Sequence, residues 1–112
     1  MSIPEEIGRN VVFLRKIKKV SREWLALEAG ISRSRLYEIE AGKANATIEL
    51  YAKISNALDV PFDLLFVSDL SSRYAPFIAA QKYYENPITL SEFYFLHQAL
   101  ALYRQGKLKL EE

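Results

Sequence analysis

The chain has 112 residues, half of them hydrophobic, a net charge of +1 and no cysteine. That length suits one domain, or a small domain with an extension, and that apolar content excludes wholesale disorder. The lack of cysteine excludes disulfides and thiolate metal sites. No apolar run is long enough to span a bilayer, and Met1 to Glu6 lacks the basic and apolar regions of a signal peptide, so the expected location is cytoplasmic.

Helical spacing dominates the first part of the chain. Ile3, Ile7, Val11, Leu14 and Ile17 recur every three or four positions. Pro4 suits a first helical turn, and Glu5 and Glu6 sit near the positive end of the helix dipole, so a first helix is expected from about Pro4 to Lys18. Ser21 can cap a second helix ending near Ala29, after which Gly30 turns the chain. Ser32 can cap a third helix ending at Ala41, with Gly42 after it. Thr47 can cap a fourth helix, to Leu58, and Pro61 can begin a short fifth, to about Phe66.

The character changes after that. "DLSSR", residues 69–73, is polar and reads as a linker. The stretch beyond it is aromatic, with Tyr74, Phe77, Tyr83, Tyr84, Phe93, Tyr94, Phe95 and Tyr103. A helix from about Ala75 to Tyr84 is expected, halted before Pro87. A last helix starts at a capping box formed by Thr89 and Glu92, with Ile88 able to pack against Phe93. It should run to about Gln105, where Gly106 can end it, and residues 107–112 should fray. The expected organisation is an N-terminal domain over residues 1–68 and a helical extension over residues 69–112.

Basic residues concentrate in one window. Arg15, Lys16, Lys18, Lys19, Arg22, Arg33, Arg35 and Lys43 outnumber Glu23, Glu28, Glu38 and Glu40 there, although the chain is nearly neutral. A local basic patch of this kind is compatible with a polyanionic partner, and equally with a solvated helical surface. The pattern inside the window is more demanding. Leu25, Ala26 and Ala29 provide apolar or small positions where two helices meet. Gly30 sits where a tight turn requires positive φ, Ile31 follows as a core plug, and Leu36 and Ile39 form a narrow apolar stripe. Two short helices joined at a steep angle by a three-residue turn form a helix-turn-helix.

Residues 7–65, "IGRNVVFLRKIKKVSREWLALEAGISRSRLYEIEAGKANATIELYAKISNALDVPFDLL", resemble the phage-repressor and Cro type of helix-turn-helix domain, also called the xenobiotic-response-element type. The resemblance implies an all-α fold: a five-helix DNA-binding bundle, here with a C-terminal extension of two helices. It also implies a transcription regulator, dimeric in most members, whose partner is double-stranded DNA. In such domains the outer face of the third helix enters the major groove. Arg33, Ser34, Tyr37 and Glu38 match the base-facing positions. Arg33 could donate a bidentate pair to guanine and Glu38 could accept from cytosine N4. Arg22, Arg35, Lys43 and Asn45 match or flank the phosphate-contacting positions, and such contacts fix register without reading sequence. Arg15 and Glu40 match a structural ion pair between the first and third helices. An ordinary surface reading stands beside this one, in which Glu38 simply pairs with Arg35 three residues away.

Several positions depart from the family pattern. Val12, Phe13, Trp24, Leu50 and Leu64 are apolar where a polar residue is usual, Tyr51 replaces a usual Leu, and Ala46 stands where Pro is frequent. Exposed, these groups would form a contact patch. In the last helix Leu90, Phe93, Leu96, Ala99, Leu100 and Tyr103 form one stripe, widened by Phe95 and Leu102. Phe93, Leu96, Leu100 and Tyr103 are therefore expected at a homodimer or partner interface, with a protein partner possible through residues 70–105.

Catalysis lacks its parts. His97 is the only histidine, no cysteine nucleophile exists and no Gly-rich phosphate loop appears, so no enzyme, no metal and no cofactor are expected. The leading expectation is a homodimeric repressor that binds a palindromic operator. The alternative is an antitoxin-like interaction module that neutralises a partner protein, with DNA binding secondary.

Overall fold

The computed structural model describes residues 2–80 and 89–107, and among them every regular element is a helix. The first four are α1 (Ile3–Ile17), α2 (Arg22–Ala29), α3 (Arg33–Glu40) and α4 (Ile48–Leu58). The expected fifth helix is a short 3-10 turn, Phe62–Phe66, introduced by Pro61. Two further helices follow, α5 (Leu70–Ala80) and α6 (Leu90–Arg104). None of the described helices is long and apolar enough to cross a membrane.

Side chains set the helix boundaries. Ser2, Ser21, Ser32, Thr47 and Thr89 each accept a hydrogen bond from the backbone N–H three residues on, which satisfies a donor the helix itself leaves orphaned. Each such cap stabilises its helix by about 0.5–2 kcal/mol. At Thr89 the bond is reciprocal: the Glu92 carboxylate accepts from the Thr89 amide at 2.9 Å. Left-handed residues close the other ends. Gly30 ends α2 and Gly42 follows α3, both with positive φ, while Lys19 and Asp59 serve the same purpose after α1 and α4.

The chain forms two compact units, Met1–Ala75 and Pro76–Glu112. The core of the first combines Ile7, Val11 and Leu14 from α1, Leu25, Ala26 and Ala29 from α2, Leu36 and Ile39 from α3, Ile54 and Leu58 from α4, and Leu64 and Leu65. Burying each large side chain contributes about 1.5–3 kcal/mol. The α1 stripe begins later than its spacing predicts: Ile3 lies on the first turn and is 67 % exposed. Ile31, expected as a core plug, is only half-buried.

Leu64, expected where a polar residue is usual, is fully buried, and so is nearly all of Tyr51, whose ring meets Phe66 edge-on at 5.9 Å. Val12, Phe13, Leu50 and Ala46 are half-buried, which leaves Trp24 as the exposed member of that group. The 69–73 segment is not a linker. Asp69 takes a left-handed turn and α5 starts at Leu70, whose side chain is buried together with Tyr74 one turn later. The first unit consequently extends past residue 68 to Ala75. The 3-10 turn is pinned from α1 by Asn10, a buried side chain whose Nδ2 donates to the carbonyls of Leu65 at 2.7 Å and Val67 at 2.8 Å.

In the second unit Leu90 and Tyr94 are buried, whereas Phe95, Leu96, Leu100, Leu102 and Tyr103 are exposed. The expected helical segment at Tyr83 and Tyr84, the packing of Ile88, the role of Pro87 and the fraying of residues 108–112 lie outside the described residues.

One contact in the first unit is unusually close. A Cβ built on Gly8 of α1 would stand 2.5 Å from the Ile39 carbonyl oxygen and 2.8 Å from that of Glu40, at the end of α3. Backbone atoms cannot swing aside as a side chain can, so the helices would have to separate. Gly8→Ala should destabilise the protein by about 1–3 kcal/mol in urea denaturation, the usual cost of overpacking, despite alanine's better helix propensity.

Candidate nucleic-acid interface

Residues 21–43 build a rigid bracket. Ser21 caps α2, which ends in paired bonds from the Gly30 amide to the Leu27 carbonyl at 3.2 Å and from the Ile31 amide to the Ala26 carbonyl at 3.0 Å. This C-terminal arrangement needs a left-handed residue, and Gly30 supplies it at φ 71° without steric cost. Ser32 then caps α3 by accepting from the Arg35 amide at 3.0 Å. Leu36 and Ile39 bury the inner face of α3, so the outer face is left to water.

That outer face carries Arg33, Ser34, Tyr37 and Glu38, all exposed. They occupy the N-terminal two turns of α3 and project from one side of the bracket. Arg33 Nη2 donates to Glu23 Oε1 of α2 at 2.9 Å, with both side chains mostly in solvent. Arg35 Nη1 reaches Glu38 Oε2 at 3.4 Å, and its Nη2 reaches the Asn45 carbonyl at 3.4 Å. Arg35 thus lies along the flank between α3 and the following loop, where Lys43 and Asn45 are also exposed. The α6 residues Leu96, Leu100 and Tyr103 are exposed in the second unit, and Phe93 is half-buried.

Beneath the face lies a charged knot. The Glu40 side chain is only 3 % exposed and accepts from Arg15 Nε at 2.9 Å and from Arg22 Nε at 2.9 Å. Arg15 adds a second bond to Glu40 Oε1 at 3.3 Å and caps the Val20 carbonyl at 3.3 Å. One carboxylate therefore ties α1, α2 and α3 together. The Glu40 hydrogen bond is the chief reason the Arg22 guanidinium is held more firmly protonated than usual. Arg22 also stands 5.2 Å over the Tyr37 ring, a cation–π contact that orients an exposed side chain from below. Glu23, by contrast, is held below the ordinary carboxylate range first by its own backbone N–H in the first turn of α2, and then by the Arg33 charge.

From the sequence alone Arg22 is only a phosphate-contact candidate. Its bond to Glu40 was not legible, because an arginine at the start of a helix carries no mark of a partner eighteen residues on. Gly8, Asn10 and Glu23 were also missed. Glu23 gave no distinctive signal, since an acidic residue in a first turn is already explained by the helix dipole. Among the described residues, no group of histidine, aspartate and glutamate side chains could hold a metal ion.

A helix-turn-helix family model matches residues 13–65. Among solved structures, the restriction-modification controller protein C.AhdI from Aeromonas hydrophila is 32 % identical, with 56 % of this chain and 96 % of that one covered and a TM-score of 0.55. A hypothetical transcription factor, NHTF from Neisseria, shares the fold at 22 % identity over 66 % of this chain and 85 % of its own, with a TM-score of 0.61. No curated protein matches the sequence.

The knot makes a direct prediction. Glu40→Gln removes the negative charge between two guanidiniums and should cost about 2–3 kcal/mol of unfolding free energy in urea. The full cost of breaking a buried pair is about 3–5 kcal/mol; solvent at the Arg22 side lowers it here.

Proposed function

This chain belongs to the Cro-type, or xenobiotic-response-element-type, helix-turn-helix family and is a DNA-binding transcriptional regulator; on that premise we propose that it is a homodimeric repressor that reads a palindromic operator through the major groove. The observation that carries this reading is the outer face of α3. Arg33, Ser34, Tyr37 and Glu38 are exposed together at the N-terminal end of a helix whose other face is fixed in the core. A helix presented in this way fits the width of the major groove.

The roles follow from chemistry. Arg33 donates a bidentate pair to guanine O6 and N7, and Glu38 accepts from a cytosine N4 amine. Ser34 and Tyr37 line the same edge. Arg35, Lys43 and Asn45 flank the face and take phosphates, where charge rather than base identity matters. Arg22 is anchored through Nε on Glu40 and its side chain remains 40 % exposed, so the rest of its guanidinium is available to the backbone. Bound at an operator, the protein acts by occupancy. The 32 % identity with a restriction-modification controller protein supports a gene-control role over a purely protein-binding one.

The dimer is assigned to α6. Phe93, Leu96, Leu100 and Tyr103 recur at helical spacing, and three of the four are exposed large apolar side chains. A second copy would cover them and set two α3 helices about 34 Å apart on successive turns of DNA.

Three measurements test this reading. Selection of bound duplexes from random sequence should yield a palindrome. On it, Arg33→Ala should cost about 1–3 kcal/mol and relax one position of each half-site, whereas Lys43→Ala should weaken all sequences alike and lower the salt slope by about one. Equal, sequence-blind losses from both would overturn Arg33 as a base reader. In sedimentation, the full chain should be a dimer, and Leu96→Asp with Leu100→Asp should make it monomeric without loss of helix content. A double variant that still dimerises places the interface elsewhere.

A further inference from the structure

Arg33 is the first residue of α3, a poor place for a cation. The positive end of the helix dipole lies there, and the first turn of α3 contains no acidic residue. What answers the charge comes from another helix. Glu23 sits in the first turn of α2, where backbone N–H groups favour a carboxylate, and its Oε1 meets Arg33 Nη2 at 2.9 Å. The span between them is fixed, because α2 and α3 pack directly on each other, with Leu25, Ala26, Ala29, Leu36 and Ile39 all buried.

The pair is too wet to stabilise the fold. The side chains are 74 % and 59 % exposed, a setting in which ion pairs contribute little. Its consequence is directional. A long, flexible, exposed side chain is biased toward one orientation by a partner on a neighbouring helix. The bond uses a single terminal nitrogen, so other N–H groups of the same guanidinium can still meet a guanine edge. The carboxylate has a cost, since it would stand close to DNA phosphates and weaken binding to every sequence. A group that lowers general affinity while orienting a reader raises discrimination.

We propose that Glu23 is a positioning residue for sequence reading: it holds the Arg33 guanidinium in the orientation that meets a guanine, and trades general DNA affinity for specificity. This rests on the assignment of Arg33 as a base contact.

The test uses the full chain at one fixed salt concentration and three duplexes: the selected palindrome, the palindrome with the Arg33-dependent guanine replaced, and an unrelated sequence. Glu23→Ala should bind the unrelated duplex more tightly than wild type. Its preference for the guanine-bearing palindrome should nevertheless fall about three- to tenfold, the range expected from releasing one rotamer-rich side chain. Glu23→Gln, which retains an oxygen acceptor, should recover part of that preference. In an Arg33→Ala background, Glu23→Ala should leave the remaining preference unchanged, and thermal stability should be unaltered throughout. If Glu23→Ala shifts all three duplexes by the same factor, Glu23 is only a surface charge and the proposal falls. If Arg33→Ala itself leaves guanine preference intact, the assignment of Arg33 fails first and the proposal falls with it.

Discussion

The carboxylate of Glu40 is the point on which the helix-turn-helix of this protein depends. It is shielded from solvent and shared between Arg15 of α1 and Arg22 of α2, while its own backbone belongs to α3. A buried charge without partners is costly, so the three helices have one arrangement in which all three groups are satisfied. Such pairs need not add much net stability relative to an apolar core. Their consequence here is geometric. The end of α3 cannot rotate or slide without breaking bonds to two other helices, and the same arginine that answers Glu40 reaches up to the ring of Tyr37. The orientation of an exposed side chain is thereby linked to a buried one.

Steric closeness reinforces the electrostatic tie. Gly8 lets α1 approach the carbonyls that end α3, and a Cβ on Gly42 would stand 2.8 Å from the Cα of Glu5. Gly8 meets the end of α3 from α1, Gly42 meets the start of α1 from just after α3, and the second also has the positive φ that closes α3. Hydrogen-bonded caps, a buried ion cluster and two close approaches all fix the same helix. The Leu36 and Ile39 stripe alone would be a weak attachment for an eight-residue element.

The outer face built on that frame is itself pre-paired. Arg33 is paired with Glu23 and Arg35 with Glu38, so the two arginines at the start of α3 each meet a carboxylate. Both pairs have carboxylates that lie mostly in solvent, whereas the Glu40 carboxylate below them is shielded. Charge on this surface is organised in two layers: a shielded carboxylate that ties α3 to α1 and α2, and solvent-facing pairs on the outer side of α3.

Much of this was legible in the sequence because the deciding interactions are local. Serine or threonine three residues before a helical amide, glycine at a left-handed position, and apolar spacing along a single helix are all short-range patterns, and they located α1 to α4, the turn at Gly30 and the capping box at Thr89. The same patterns exposed the outer face of α3, since Leu36 and Ile39 leave only one side for water. Tertiary structure decided the rest. Leu64 looks like a surface departure until the 3-10 turn that carries it folds back onto the core, where Phe66 of the same turn meets the ring of Tyr51. Leu70 and Tyr74 look like linker and aromatic tail until α5 begins within the first unit. Asn10 looks like an ordinary polar residue until the carbonyls of Leu65 and Val67 come within reach of its amide. Arg22 and Glu23, adjacent in sequence, point to partners on α3 that no spacing rule connects to them. The chain by itself specified where helices begin, end and turn, because those choices involve neighbours within one or two turns. Which charges meet, and which apolar groups are covered, was settled only when distant segments were brought together.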